Sequence, residues 1–105
     1  MPRKKLPAVV GRVIEPKILA LVTGVLVNDF GIPKEKITPD ANTRYMLGVD
    51  SLDELDLVFA LDKALAVKIP LEEWQQEPFR AGEAEGGYLV VGNLCSRLQQ
   101  LVAEK

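Results

Sequence analysis

A helix with two apolar faces is the strongest constraint that this chain places on its fold. Over SLDELDLVFALDKALA, residues 51 to 66, an advance of about 100° per residue sets Leu57, Val58, Leu61 and Leu65 on one side. That stripe is what a helix in a bundle needs to face its core. Leu52, Leu55 and Phe59 fall roughly opposite, with Asp56 and Asp62 flanking them and Asp53 nearby. Apolar anchors rimmed by carboxylates have the make-up of a surface that meets a partner. Burial of both stripes between neighbouring helices is the alternative, and for Phe59 the two stand level.

Around this helix the punctuation of the chain marks three more and no strand. Glu15-Pro16 opens the first, because proline suits a first helical turn, and KILALVTGVLVNDF continues it to Gly31, with Ile32-Pro33 directly behind. Residues 31 to 50, with Pro33, Pro39, Asp40, Asn42 and Gly48, form a long connection. Side chains such as Ile37, Tyr45, Met46 and Leu47 must pin it. After Ile69-Pro70 comes a short turn of helix, LEEWQQ, and then a Gly- and charge-rich loop over 78 to 87. A last helix is expected from about Gly87 to Ala103, with Leu89, Val90, Leu94, Leu98, Leu101 and Val102 near one face. At 105 residues the expectation is a single all-α domain over 1 to 105. It is a four-helix bundle with a short third helix and an extended loop before the last, and 1 to 14 is a solvated basic arm.

Two absences remove whole classes of chemistry. The chain contains no histidine, so no Ser-His or Cys-His pair can be assembled and the usual general base is missing. Cys95 is the only cysteine, which rules out structural zinc sites and internal disulfides, and its apolar surroundings predict burial over reactivity. No apolar stretch approaches the ~20 residues that span a bilayer, and MPRKKLPAVVGRVIEP is a poor secretion signal. A cytoplasmic protein, not inserted in a membrane, is expected.

Charge is unevenly spread. Arg3, Lys4, Lys5, Arg12 and Lys17 oppose only Glu15 at the start, whereas Asp50, Asp53, Glu54, Asp56, Asp62, Glu72, Glu73 and Glu77 oppose only Lys63 and Lys68 in the middle. An acidic centre argues against nucleic acid and for a basic protein partner. A calcium site from Asp50, Asp53 and Asp56 is a poor fit, since a calcium loop places its ligands at alternate positions around a central glycine.

Ser51 stands where the irregular stretch gives way to the two-faced helix. A hydroxyl there can cap the first amides, and Glu54 three residues on completes an S-x-x-E capping box. The same place also favours a phosphate ester, because free N–H groups and the helix dipole stabilise an anion. Spacing alone does not choose between cap and modification.

The run LGVDSLDELDLVFALDKALAVKIP, preceded by GIPKEKITPDA, resembles the acyl carrier protein family over roughly residues 15 to 77 and, more loosely, the last helix. Gly48, Asp50, Ser51, Leu52 and Asp53 match the family's motif. The resemblance implies a carrier and not an enzyme. A phosphopantetheinyl transferase, using coenzyme A and magnesium, would attach a 4′-phosphopantetheine arm to Ser51 beside Asp50, and the arm's thiol would carry acyl groups as thioesters. The resemblance also implies that Leu52, Asp53, Leu55, Asp56, Phe59 and Asp62 dock the fatty acid synthesis enzymes, which agrees with the second stripe.

KIPLEEWQQE, the long insertion behind it, Tyr88 and the Asn93-Leu94-Cys95 run resemble the specialised alpha-proteobacterial carriers of very-long-chain hydroxy fatty acids for lipid A. An acyltransferase to lipid A is then a further implied partner, and a monomer is expected. Carriage for general fatty acid or polyketide synthesis is one alternative; an unmodified helical adaptor that binds a basic partner is another. Lys63, Ala64 and Ala66 stand where the family often places acids, and Arg44-Tyr45 replaces acids before the Leu-Gly of the motif. A domain of this size, with a radius of gyration of roughly 13 Å, cannot enclose a very long chain. A groove between the last helix and the 78 to 87 loop, with Trp74, Phe79 and Tyr88 as candidate lining, is one seat for part of it; ordinary core or surface packing is the reading favoured for any one of the three.

Overall fold

The structure, a computed structural model, describes residues 14–105. All but the last residue of the basic arm read at 1 to 14 therefore lie outside the described residues. Helices α1 (Pro16–Phe30), α2 (Ser51–Leu65), α3 (Leu71–Gln76) and α4 (Val91–Ala103) follow one another, with 3-10 turns at Lys34–Lys36 and Gly87–Leu89. Among the described residues there is no strand; one antiparallel bridge joins Asn42 to Val90.

Local chemistry sets these limits. Pro16 occupies the first turn of α1, and Gly31 ends it at a φ of 69°, with its N–H on the Val27 carbonyl at 3.0 Å. Ile18, Val22 and Leu26 recur every fourth residue along α1 and are buried against Leu57 and Leu61 of α2 and Val91, Leu94, Cys95 and Leu98 of α4. Trp74 from α3 and Ile69 from the connection before it complete this core. Cys95 is fully buried, and burial pushes its thiol up to about 12, so it is an inert core residue.

The last helix begins later than its apolar pattern predicts. Gly87–Leu89 is a 3-10 turn, Val90 is extended to pair with Asn42, and α4 opens only at Val91. No side chain caps α4. Its first amides instead donate to the connection behind α1, Val91 to the Ala41 carbonyl at 2.9 Å and Gly92 to the Pro39 carbonyl at 2.8 Å. Backbone carbonyls from a distant loop leave no cap residue in the sequence.

The loop over 78 to 87 is held by two polar side chains of α4. Asn93 exchanges hydrogen bonds with both backbone groups of Ala84, at 3.2 and 2.9 Å, and donates to the Gly87 carbonyl at 2.8 Å. Arg97 grips Glu83 through two oxygens, at 2.6 and 2.7 Å, and donates to the Pro78 carbonyl at 2.9 Å. Asn93 and Arg97 are 0% and 2% exposed, so the loop is fastened to the core and not draped over it. Gly87 makes the close crossing possible: its φ is +60°, and a Cβ there would lie 1.9 Å from the Pro78 carbonyl oxygen. Gly87→Ala should therefore lower stability by about 2–3 kcal/mol, the scale of a strained backbone position. An unchanged urea midpoint for that variant would contradict this account of the loop.

Candidate attachment site and docking face

The turn that presents Ser51 is built from its own backbone. The Asn42 side-chain oxygen accepts from the amides of Arg44 and Tyr45 at 2.9 and 3.0 Å, and Gly48 turns the chain at a φ of +75°. Val49 is buried and donates to the Thr43 carbonyl at 2.9 Å. The amide and the hydroxyl of Thr43 both donate to the Leu89 carbonyl, at 2.8 and 2.9 Å, which ties the turn to the start of α4.

Ser51 is not the cap of α2. Asp50 is the N-cap, and its carboxylate accepts from the Asp53 amide at 2.9 Å. Ser51 is the first helical residue, exposed, with its hydroxyl left out of the cap. Glu54 makes no capping box either. It is buried and pairs with Arg44, whose Nε also donates to the Val49 carbonyl at 3.1 Å. One cation thus clamps the approach to Ser51 onto the helix behind it. The signal was present in the sequence: Glu54 lies three and seven residues before Leu57 and Leu61, on the buried stripe, where a carboxylate requires a partner. Arg44, which departs from the family pattern, is that partner.

The second stripe of α2 faces outward. Leu52, Leu55 and Phe59 are 75%, 43% and 65% exposed, Asp56 is exposed and Asp53 half so. Burial of both stripes is thereby set aside. Asp62, assigned to the same surface, already accepts from the Ile69 amide at 2.8 Å and so helps to end α2.

The three aromatic residues expected to line one groove do not share one. Trp74 is buried, with Tyr88 tilted against it at 5.8 Å between ring centres. The Arg97 guanidinium lies 5.2 Å from the Trp74 ring and 5.5 Å from that of Tyr88. Both rings line a cavity of only about 20 Å³ together with Glu54, Leu57 and Leu61. Burial and the nearby Glu54 charge push the Tyr88 phenol up to about 12, so it stays neutral there. Phe79 is exposed and faces a separate cleft of about 480 Å³, beside Tyr45 and Met46. Arg97 stands on both rings and bonds Glu83 and the Pro78 carbonyl, next to Phe79 in the chain.

A phosphopantetheine arm fits this turn. The Ser51 hydroxyl is a free, outward-facing primary alcohol at a helix start, where the dipole favours the phosphate that joins an arm to serine. Its loss from solvent costs no cap, because Asp50 supplies that.

Comparison with known proteins agrees with this geometry. Residues 20–78 match the family described as a phosphopantetheine attachment site. Over 84 residues, 80% of this chain, the sequence is 44% identical to acyl carrier protein AcpXL of Brucella melitensis, 90% of which is covered. AcpXL of Mesorhizobium japonicum is 42% identical over the same length, again with 90% covered. An acyl carrier protein of Syntrophobacter fumaroxidans is 46% identical over 52 residues, 50% of this chain and 64% of that protein.

Proposed function

The chain belongs to the acyl carrier protein family and carries acyl groups on 4′-phosphopantetheine; from that premise we propose that Ser51 holds the arm. The observation that carries this reading is the Ser51 hydroxyl, exposed at the first position of α2 while Asp50 makes the cap. The bound arm supplies a terminal thiol that holds the acyl group. The protein's own residues present it: Arg44 and Glu54 keep the approach to Ser51 fixed, and Asp50 fixes the helix start.

Leu52, Leu55 and Phe59, with Asp53 and Asp56, form the surface that meets a phosphopantetheinyl transferase, the fatty acid synthesis enzymes and an acyltransferase. Exposed apolar side chains among carboxylates suit a basic partner with an apolar centre. Phe59→Glu should leave the urea midpoint within about 0.5 kcal/mol of the wild type, because the ring is solvent-facing. The same change should lower the transferase kcat/KM by about 30-fold or more, the size of a hot-spot loss. Equal kcat/KM for both proteins would remove Phe59 from the docking face.

The cargo of this reading is a very-long-chain hydroxylated fatty acyl group destined for lipid A, carried by a cytoplasmic monomer. The PLEEW and Asn93-Leu94-Cys95 runs and the match to two AcpXL relatives support it. Among the described residues no helix is long and apolar enough to cross a membrane. The test is complementation of an alpha-proteobacterial strain deleted for its own such carrier, with lipid A read by mass spectrometry. Return of the very-long-chain species is expected. A chain that is loaded with its arm yet restores none would direct the reading to general fatty acid or polyketide synthesis.

A further inference from the structure

Among the described residues, the large exposed apolar side chains fall into two patches. Leu52, Leu55 and Phe59 lie on the docking face of α2; Tyr45, Met46 and Phe79 line the cleft of about 480 Å³ between the turn before Ser51 and the braced loop. Nothing in the docking surface explains the second patch. Tyr45, Met46 and Phe79 are 82%, 65% and 57% exposed around one cleft, and a contiguous apolar patch of this kind marks a place where something binds.

We propose that this cleft seats the distal part of the acyl chain that the protein itself carries, an inference that rests on Ser51 as the attachment residue. Volume makes the first argument. A methylene takes up about as much room as a water molecule, roughly 30 Å³. The cavity beneath α2, at about 20 Å³, holds about one water-sized group, and Arg97 lies 5.2 Å from the Trp74 ring that walls it. The cleft, at about 480 Å³, is more than twenty times as large. A long chain therefore finds surface shelter here and little enclosed space.

Reach makes the second argument. Met46 stands five positions before Ser51 in the chain, at most about 18 Å away even if that segment were fully extended. A covalent tether of comparable length holds the chain at a high local concentration, so weak burial is enough. Rigidity makes the third. Gly86 forms part of the cleft, and a Cβ added there would lie 2.6 Å from a Val90 methyl and 3.1 Å from the Asn42 amide nitrogen. The Asn93 and Arg97 bonds fix the segment that carries Phe79, so the cleft is formed in advance. Its charged rim, Asp40 and Glu85, is acidic, which disfavours an anionic lipid surface as the occupant.

The test uses the full chain loaded with an octadecanoyl or an octanoyl group that bears a nitroxide at its far end. Intact mass is checked first; failure to load either chain would overturn the attachment reading itself. In loaded protein, the long chain should broaden the amide signals of Tyr45, Met46, Phe79 and Gly86 at least threefold more than the short one does. Phe79→Asp should abolish that difference without altering loading. Broadening centred on Leu57, Leu61 and Trp74 for both chains would place the cargo under α2 and overturn the proposal. So would a loaded long chain that broadens no residue of the cleft, even if a partner enzyme then shifts those signals, since the cleft would belong to the partner.

Discussion

Replacing Ser51 with alanine should abolish attachment of the arm while leaving the fold at wild-type stability. The two halves of that result come from one fact, that the hydroxyl is outside the cap of α2. A serine that capped the helix would cost about 1 kcal/mol on removal. At the first helical position, exposed, alanine has the better intrinsic propensity and the change should stay within about 0.5 kcal/mol. Asp50 is where the cap energy resides, so Asp50→Ala should cost the ~1 kcal/mol that Ser51→Ala does not. Urea midpoints and intact masses of the two variants, taken together, separate the roles. An arm that persists on Ser51→Ala would remove this serine from the account, and a full cap-sized loss of stability would mean that its hydroxyl does bond the helix start.

Arg97→Met should be the most destabilising exchange at a polar position in the described residues. It leaves Glu83 ionised and buried without its fork, and keeps the volume that packs between Trp74 and Tyr88. Breaking one side of a buried pair costs about 3–5 kcal/mol, which for a domain of this size means a fall in Tm of at least ~12 °C. Adding Glu83→Leu should recover much of the loss, because the pair then disappears whole. The recovery distinguishes a charge effect from a packing one; a double variant as weak as the single would show that Arg97 acts through its ring contacts.

The same pair gives the protein an acid limit. Burial pushes the Glu83 carboxyl up, but the Arg97 hydrogen bonds, the Arg80 amide and the charges of both arginines outweigh it and hold the group below its ordinary 4.5. A depressed carboxyl stabilises the fold above its unfolded value and loses that contribution as pH falls through its folded one. Thermal unfolding of the wild type should therefore weaken progressively below about pH 4.5, and the Arg97→Met/Glu83→Leu protein should lack that part of the decline.

Much of the fold could be read from spacing. Pro16 opens α1, Gly31 ends it, and α3 follows Ile69-Pro70 over LEEWQQ as the spacing says, because local backbone chemistry decides those points. What stayed hidden was set by contacts far apart in the chain. α4 starts at Val91 because carbonyls of Pro39 and Ala41 cap it, and no residue near 87 announces that. Asn93 stands in a family-like run, but its bonds to Ala84 and Gly87 depend on the loop crossing at Gly87. Nothing local marks Arg97, since one arginine on an amphipathic helix looks like a solvated residue until Glu83 arrives from 14 residues away.

At the site, Ser51 and the outward stripe of α2 were visible because the helix period alone separates Leu52, Leu55 and Phe59 from the core. The cap was misplaced by one residue, since both Asp50 and Ser51 are good cap residues and only the backbone decides which of them precedes the first turn. Glu54 then looked like half of a capping box, although its place on the buried stripe already demanded a cation.

The most direct measurement is the intact mass of purified apo-protein after incubation with coenzyme A, magnesium and a promiscuous phosphopantetheinyl transferase, followed by fragmentation to locate any addition. The account predicts one arm per chain, on Ser51, in every folded molecule. A folded protein that gains no mass, or an arm found on any other residue, would contradict it.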